Sequence, residues 1–127
     1  MPALENMVQV DEVLGKVTIL TRSRSKIVID DPNRTLSIQD FNGNRIEMTA
    51  DGITITSAKD IIMDAPGKIL LKAVGPIQSQ STGGDVTQSG MNISQTAQMK
   101  YSAQGAASAE VTAAGELKIK GSMVMIN

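Results

Sequence analysis

The chain has 127 residues and 41% hydrophobic content, enough for one ordinary domain, and its 12 basic residues against 13 acidic ones leave a net charge of −1. With the signs interleaved along the chain, no nucleic-acid footprint is present. One Phe, one Tyr and no Trp deprive a globular core of its largest fillers, and the absence of Cys and His removes disulfides, thiolate chemistry, the usual general base and the commonest transition-metal ligands.

Residues 1–16 show no regular alternation and read as a leader or as the truncated end of a preceding domain. They lack a basic segment running into an apolar one, so they do not form a secretory signal. No stretch reaches the roughly 20 apolar residues that a membrane-spanning helix needs, because Asp64, Lys68 and Lys72 break the most apolar region, Ile61 to Val74.

Residues 17–50 predict an irregular lead-in of β-strands. Val17-Thr18-Ile19, Ile27-Val28-Ile29, Leu36-Ser37-Ile38 and Ile46-Glu47-Met48 each alternate apolar and central residues with period two. Turn chemistry at Asp31-Pro32-Asn33 and Asn42-Gly43-Asn44 separates them.

From residue 51 to 127 the chain repeats every eight residues. The stretch DIIMDAPG, Asp60 to Gly67, is followed by KILLKAVG, Lys68 to Gly75, with aliphatic over aliphatic and glycine over glycine. Stepping by eight from Ile53 gives Ile61, Ile69, Ile77, Asp85, Ile93, Tyr101, Ala109 and Leu117. Two residues on, the column is Ile55, Met63, Leu71, Ser79, Thr87, Gln95, Ala103, Val111 and Ile119, apolar at both ends and polar in the middle. Two further still, from Ser57 to Gly121, every member is small. Eight helical steps would rotate each repeat by roughly 80° and smear the apolar stripe around a cylinder, so the period excludes a helix. It fits instead a short strand with one buried face and then a corner, at Pro66-Gly67, Gly75-Pro76, Gly83-Gly84 and Ala114-Gly115.

Eight residues make only one side of a prism, so such a chain has to wind around something. Three copies of itself suffice, each giving one wall per layer before passing to the next face. The expected fold is therefore all-β, an intertwined triple-stranded β-helix or trimeric prism of octapeptide repeats. At a layer spacing of about 4.7 to 4.9 Å, nine repeats rise roughly 40 to 45 Å. The expected trimer core comprises Ile53, Ile55, Ile61, Met63, Ile69, Leu71, Ile77, Ile93, Leu117 and Ile119. In the polar middle, copies of Thr87 or Gln95 bond to one another, to water or to an ion; the alternative is a loose Ser-, Gln- and Gly-rich linker. Asp60 with Lys68 and Asp64 with Lys72 place opposite charges on successive rungs of one chain's winding.

The ordered series Thr21-Arg22-Ser23, Ile27-Val28-Ile29-Asp30-Asp31, Leu36-Ser37-Ile38-Gln39-Asp40 and Asn42-Gly43-Asn44, followed by octads, resembles the C-terminal β-helical needle of VgrG spike proteins of type VI secretion systems. It is similar also to the central spikes of contractile phage tails. The resemblance covers residues 16–127. It implies a homotrimeric, membrane-puncturing needle at the tip of a contractile tube. Such a needle meets a tube and baseplate through N-terminal domains, here missing, touches a target membrane transiently, and needs no cofactor. It would assemble in the cytoplasm and be injected through the apparatus without a signal peptide. Phage spikes with a histidine-bound iron at the apex set a pattern that a chain without His departs from.

The chain ends on an apolar strand, and three such ends leave open strand edges suited to β-augmentation. In VgrG proteins the cap there is a PAAR-type tip protein, which makes Met123, Val124, Met125, Ile126 and Asn127 the candidate docking residues. Two other readings are a receptor-binding fibre or adhesin stalk, and a β-helical enzyme using carboxylates from Asp60 and Asp64 or from Asp30, Asp31 and Asp40. Carboxylates interleaved with Lys are more often a solvated face, and the chain is read as non-enzymatic.

Overall fold

A computed structural model of the chain describes residues 5–127. It falls into two units, Met1–Val74 and Gly75–Asn127. The first holds six strands, β1 (Met7–Asp11), β2 (Lys16–Leu20), β3 (Lys26–Asp30), β4 (Thr35–Gln39), β5 (Arg45–Thr49) and β6 (Gly52–Thr56). They form one antiparallel sheet in chain order. The protein is all-β, with no helix among the described residues.

A side-chain oxygen near the end of each strand closes the turn that follows. Asp11 accepts the Leu14 N–H, the Thr21 hydroxyl the Ser25 N–H, Asp30 the Asn33 N–H, Asp40 the N–H groups of Asn42 and Asn44, and Thr49 the Asp51 N–H. Short polar side chains that bond to backbone a few residues on are what make these segments turn instead of extending. Gly43 and Gly52 sit at φ of 91° and 129°, conformations that side chains with a Cβ resist.

Alternation within the strands and register between them agree. Residues 17–19, 27–29, 36–38 and 46–48 lie in β2 to β5, as their pattern predicts, and Asn42-Gly43 lies in the β4–β5 turn. The strand Met7–Asp11, by contrast, falls within residues 1–16, where the sequence reading has no strand. Its Val8 and Val10 pair with Ile19 and Val17. Two alternating valines before a turn made of Glu12-Val13-Leu14-Gly15 are too short a signal without the partner strand. Residues 1–4 of that proposed leader lie outside the described residues.

Beyond Thr56 the backbone changes character. It bends at residues 58–59, 66–67, 74–75, 82–84, 91, 98–99, 106–107, 114–115 and 122–123, one bend per octad, with no strand pairing among the described residues of this stretch. Every described residue from 58 to 127 is exposed. Pro66-Gly67, Gly75, Gly83-Gly84 and Ala114-Gly115 lie at these bends, where the repeat predicts corners.

Candidate assembly surface

The register gathers twelve aliphatic side chains on one face of the sheet, in two unbroken rows. One row runs Val10, Val17, Ile29, Leu36, Met48, Ile53; the other runs Val8, Ile19, Ile27, Ile38, Ile46, Ile55. The opposite face carries mostly polar residues, among them Thr18, Ser37, Glu47 and Thr54. A sheet with one apolar face needs a second layer to cover it, and none of the described residues supplies one: no side chain is buried. At one end of the face a cavity of about 310 Å³ lies over Ile19, Ile27, Ile38 and Ile46.

The octads continue the same exposure. Ile61, Ile69, Ile77 and Ile93, each placed just after a bend, are 50 to 59% exposed, against 83% for Ile62 and 74% for Leu70 on the alternate positions. Of the expected core residues, Ile53 and Ile55 are in β6 opposite Met48 and Ile46. Met63, Leu71, Leu117 and Ile119 follow the bends of their own octads and are likewise exposed. The candidate docking residues Met123 to Asn127 lie at and beyond the last bend, with Met123, Met125 and Ile126 strongly exposed. The whole chain presents 12799 Å² of accessible surface, about twice the roughly 6500 Å² expected of a folded monomer of this size.

A hydrogen-bonded clamp joins the sheet to the first octad. Asp40 accepts N–H groups from Asn42 and Asn44 at 2.9 Å each, and their side-chain amides at 3.1 and 2.8 Å. Asn44 in turn accepts the Ala58 N–H at 3.0 Å and the Ser57 hydroxyl at 3.3 Å. The Ser57 hydroxyl also accepts the Lys59 N–H, which fixes the first bend. The turn is legible from Asn42-Gly43, but the bond from Asn44 to Ala58, fourteen residues on, carries no sequence signal.

Of the carboxylates weighed for catalysis, Asp30 and Asp40 hold turns, while those of Asp31, Asp60 and Asp64 make no hydrogen bond or ion pair among the described residues. The backbone N–H and side-chain amide of Asn44, followed by those of Asn42, hold the Asp40 carboxyl below its ordinary range. Asn33 does the same for Asp30 through its side chain and backbone, helped by Lys16 across the strand pair. An acid so stabilised as its anion is a poor proton donor. No group of three or more metal-ligating side chains occurs among the described residues.

One expectation is corrected. Ion pairs among the described residues join Lys16 to Asp30, Arg45 to Glu47 and Lys118 to Glu116, but Asp60 does not meet Lys68, nor Asp64 Lys72. Neither pair, eight residues apart in the sequence, forms within the chain. In the polar middle, the Tyr101 hydroxyl donates to Gln95 Oε1 at 2.7 Å, so this glutamine finds its partner one octad on.

Residues 16–73 match the family model of the phage baseplate V C-terminal trimerisation domain. The matched segment takes in β2 to β6, the clamp and the first octads. It supports a place in the superfamily of phage spikes and VgrG-like proteins, as a structural, trimer-forming component and not an enzyme. No curated protein matches the chain.

Proposed function

We propose that three copies of the chain wind into a triple-stranded β-helical needle that serves as the puncturing spike of a contractile injection machine, in the manner of a VgrG protein. The observation that carries this reading is the stretch 58–127, bent at every octad, whose residues are all exposed and form no strand pairs. Backbone N–H and C=O groups of an extended chain seek a ladder, and the inward columns seek an apolar cover. Two further copies supply both at once, and the match to a trimerisation domain agrees with that stoichiometry.

In such a prism each chain moves a third of a turn and one layer per octad. The rung above residue i is then residue i+8 of a neighbouring chain, and successive rungs on a face run parallel. Ile61, Met63, Ile69 and Leu71 point inward, while Asp64 and Lys72 point outward. The twelve-residue sheet face meets its equivalents from the other copies. Force from a contracting sheath passes along a ladder of backbone hydrogen bonds and a filled aliphatic axis, a stiff element made without a globular core. A PAAR-type cap on Met123 to Asn127 would cover the terminal strand edges, and the assembled needle would leave the cytoplasm through the apparatus. A phage or tailocin central spike shares all of this except the machine it rides on.

Light scattering on the purified chain tests the architecture, with a mass of three chains expected and a monomer sufficient to discard it. Capture of a PAAR-type protein, lost on removing residues 123–127, distinguishes the secretion spike from a phage spike or fibre.

A further inference from the structure

We infer that Asp85 makes the middle of the needle a pH-sensitive layer, loosened as pH rises; this rests on the trimeric reading above. The bends locate the residue independently of the sequence columns. Ile61 follows the bend at 58–59, Ile69 that at 66–67, Ile77 that at 74–75 and Leu117 that at 114–115, each by two residues. Counted from the first residue of the bend, those four stand three residues on, and Asp85 stands three residues beyond the start of the bend at 82–84, which is held by the Gly84 N–H on the Ser81 hydroxyl at 3.2 Å. A carboxylate thus occupies the place that an aliphatic side chain fills in the octads before and after it, Ile77 and Ile93.

In a threefold prism the three copies of that position lie at one height around the axis. The groups facing them from the layers on either side are Ile77, Ser79, Thr87, Ile93 and Gln95, none of which carries a charge. Gln95 is already engaged by Tyr101, and Asp85 makes no hydrogen bond or ion pair within the chain among the described residues. The inward columns hold no Lys or Arg at all. Three like charges converging among apolar and hydroxyl side chains repel one another, and binding of protons relieves the repulsion. The trimer therefore holds more protons at this ring than the separated chains do. Wherever the assembled state binds more protons, its stability falls as pH rises. The direction is opposite to that from Asp30 and Asp40, so this ring can be told apart from the turns.

The test compares thermal dissociation of the full chain with its Asp85→Ile and Asp85→Asn variants between pH 4.5 and 8, with the mass measured in parallel. Both variants remove the ring charge, and contributions from all other carboxylates cancel in the comparison. The expected result is a midpoint for each variant that exceeds the unsubstituted protein's by a margin growing by about 5 °C or more across that range. A margin that does not change with pH, in proteins that are all trimers, overturns the inference and leaves the trimer standing. Monomers throughout, Asp85→Ile included, overturn the trimer itself and this inference with it. If millimolar calcium closes the margin at pH 8 and a chelator reopens it, a metal cation and not the proton neutralises the ring, and the inference likewise fails.

Discussion

Asn44 Oδ1 accepts the Ala58 N–H at 3.0 Å while its Nδ2 donates to Asp40 Oδ2 at 2.8 Å, so that one side-chain amide joins the β4–β5 turn to the first bend of the octads. The bend at 58–59 is where the antiparallel sheet gives way to the octads. A chain leaving the sheet at β6 has no ladder to direct it, and this amide supplies the direction.

Asn44→Ala deletes both ends of the clamp at once. Each hydrogen bond contributes about 0.5 to 1.5 kcal/mol net, so a loss of about 1 to 3 kcal/mol is expected, read as a lower melting temperature with the trimer mass unchanged. Asn44→Asp keeps an acceptor for Ala58 but sets a second carboxylate against Asp40. It should therefore cost more than Asn44→Ala at neutral pH and recover when acidified. Equal losses at all pH values would show that Asn44 merely fills space.

Acid should weaken the turns by the same bonds. The carboxyls of Asp30 and Asp40 are held below their ordinary values in the folded chain by Asn33 and Asn44. A group with a depressed folded value adds stability that is fully present above its unfolded value and is lost as pH falls through the folded one. Neutral solutions thus retain the contribution, and it is lost progressively as pH falls below about 4. Asp40→Asn should flatten the acid limb of a stability-against-pH curve and leave the alkaline limb as it was.

Alternation makes the sheet face testable one residue at a time. Ile55 lies on the aliphatic face opposite Ile46, and Thr54 on the other face opposite Glu47. In the proposed assembly Ile55→Asp places a charge between three copies, and it should abolish the trimer in sedimentation. Thr54→Lys, one residue away and opposite a glutamate, should leave the mass and melting temperature close to the original.

How much of this was legible beforehand follows from the range of each interaction. Period two in Ile27-Val28-Ile29 and period eight from Ile53 to Leu117 are written in residue types, so the strands of the sheet and the corners of the octads could be read directly. Contacts between distant residues are not written that way. Asn44 on Ala58 depends on two turns coming together, and Val8 beside Ile19 depends on a register that the Met7–Asp11 segment does not display by itself. The charge pairs Asp60–Lys68 and Asp64–Lys72 do not form within the chain, because a sequence column does not say which residues lie beside one another.

Gly52 separates backbone strain from crowding. A Cβ built there meets nothing within 4 Å, yet φ is 129°. Gly52→Ala has room but not the conformation, so a loss of about 1 to 3 kcal/mol is expected from the backbone alone. Ala50→Gly, in the same turn, provides the control for added chain freedom. If Gly52→Ala melts no lower than the unsubstituted protein, the turn between β5 and β6 has adjusted and is not a fixed feature of the sheet.

The absence of cysteine gives the winding itself a direct test. In a threefold prism Asp64 of one copy lies beneath Lys72 of its neighbour on an outer face, at about the 4.7 to 4.9 Å spacing of adjacent strands. That separation falls within the Cα range that a disulfide spans. The double variant Asp64→Cys with Lys72→Cys should, under mild oxidation, form bonds that link each chain to the next around the axis. A covalent trimer then appears on a non-reducing denaturing gel and collapses to monomer with reductant. Either single substitution should give no such species, because copies of one position lie on different faces. Within a single chain the two positions lie eight residues apart, on either side of the bend at 66–67, and in the proposed winding they sit on different faces. An oxidised monomer of altered mobility, with no linked species, would mean that the octads stack on their own chain and that the three-chain winding is wrong.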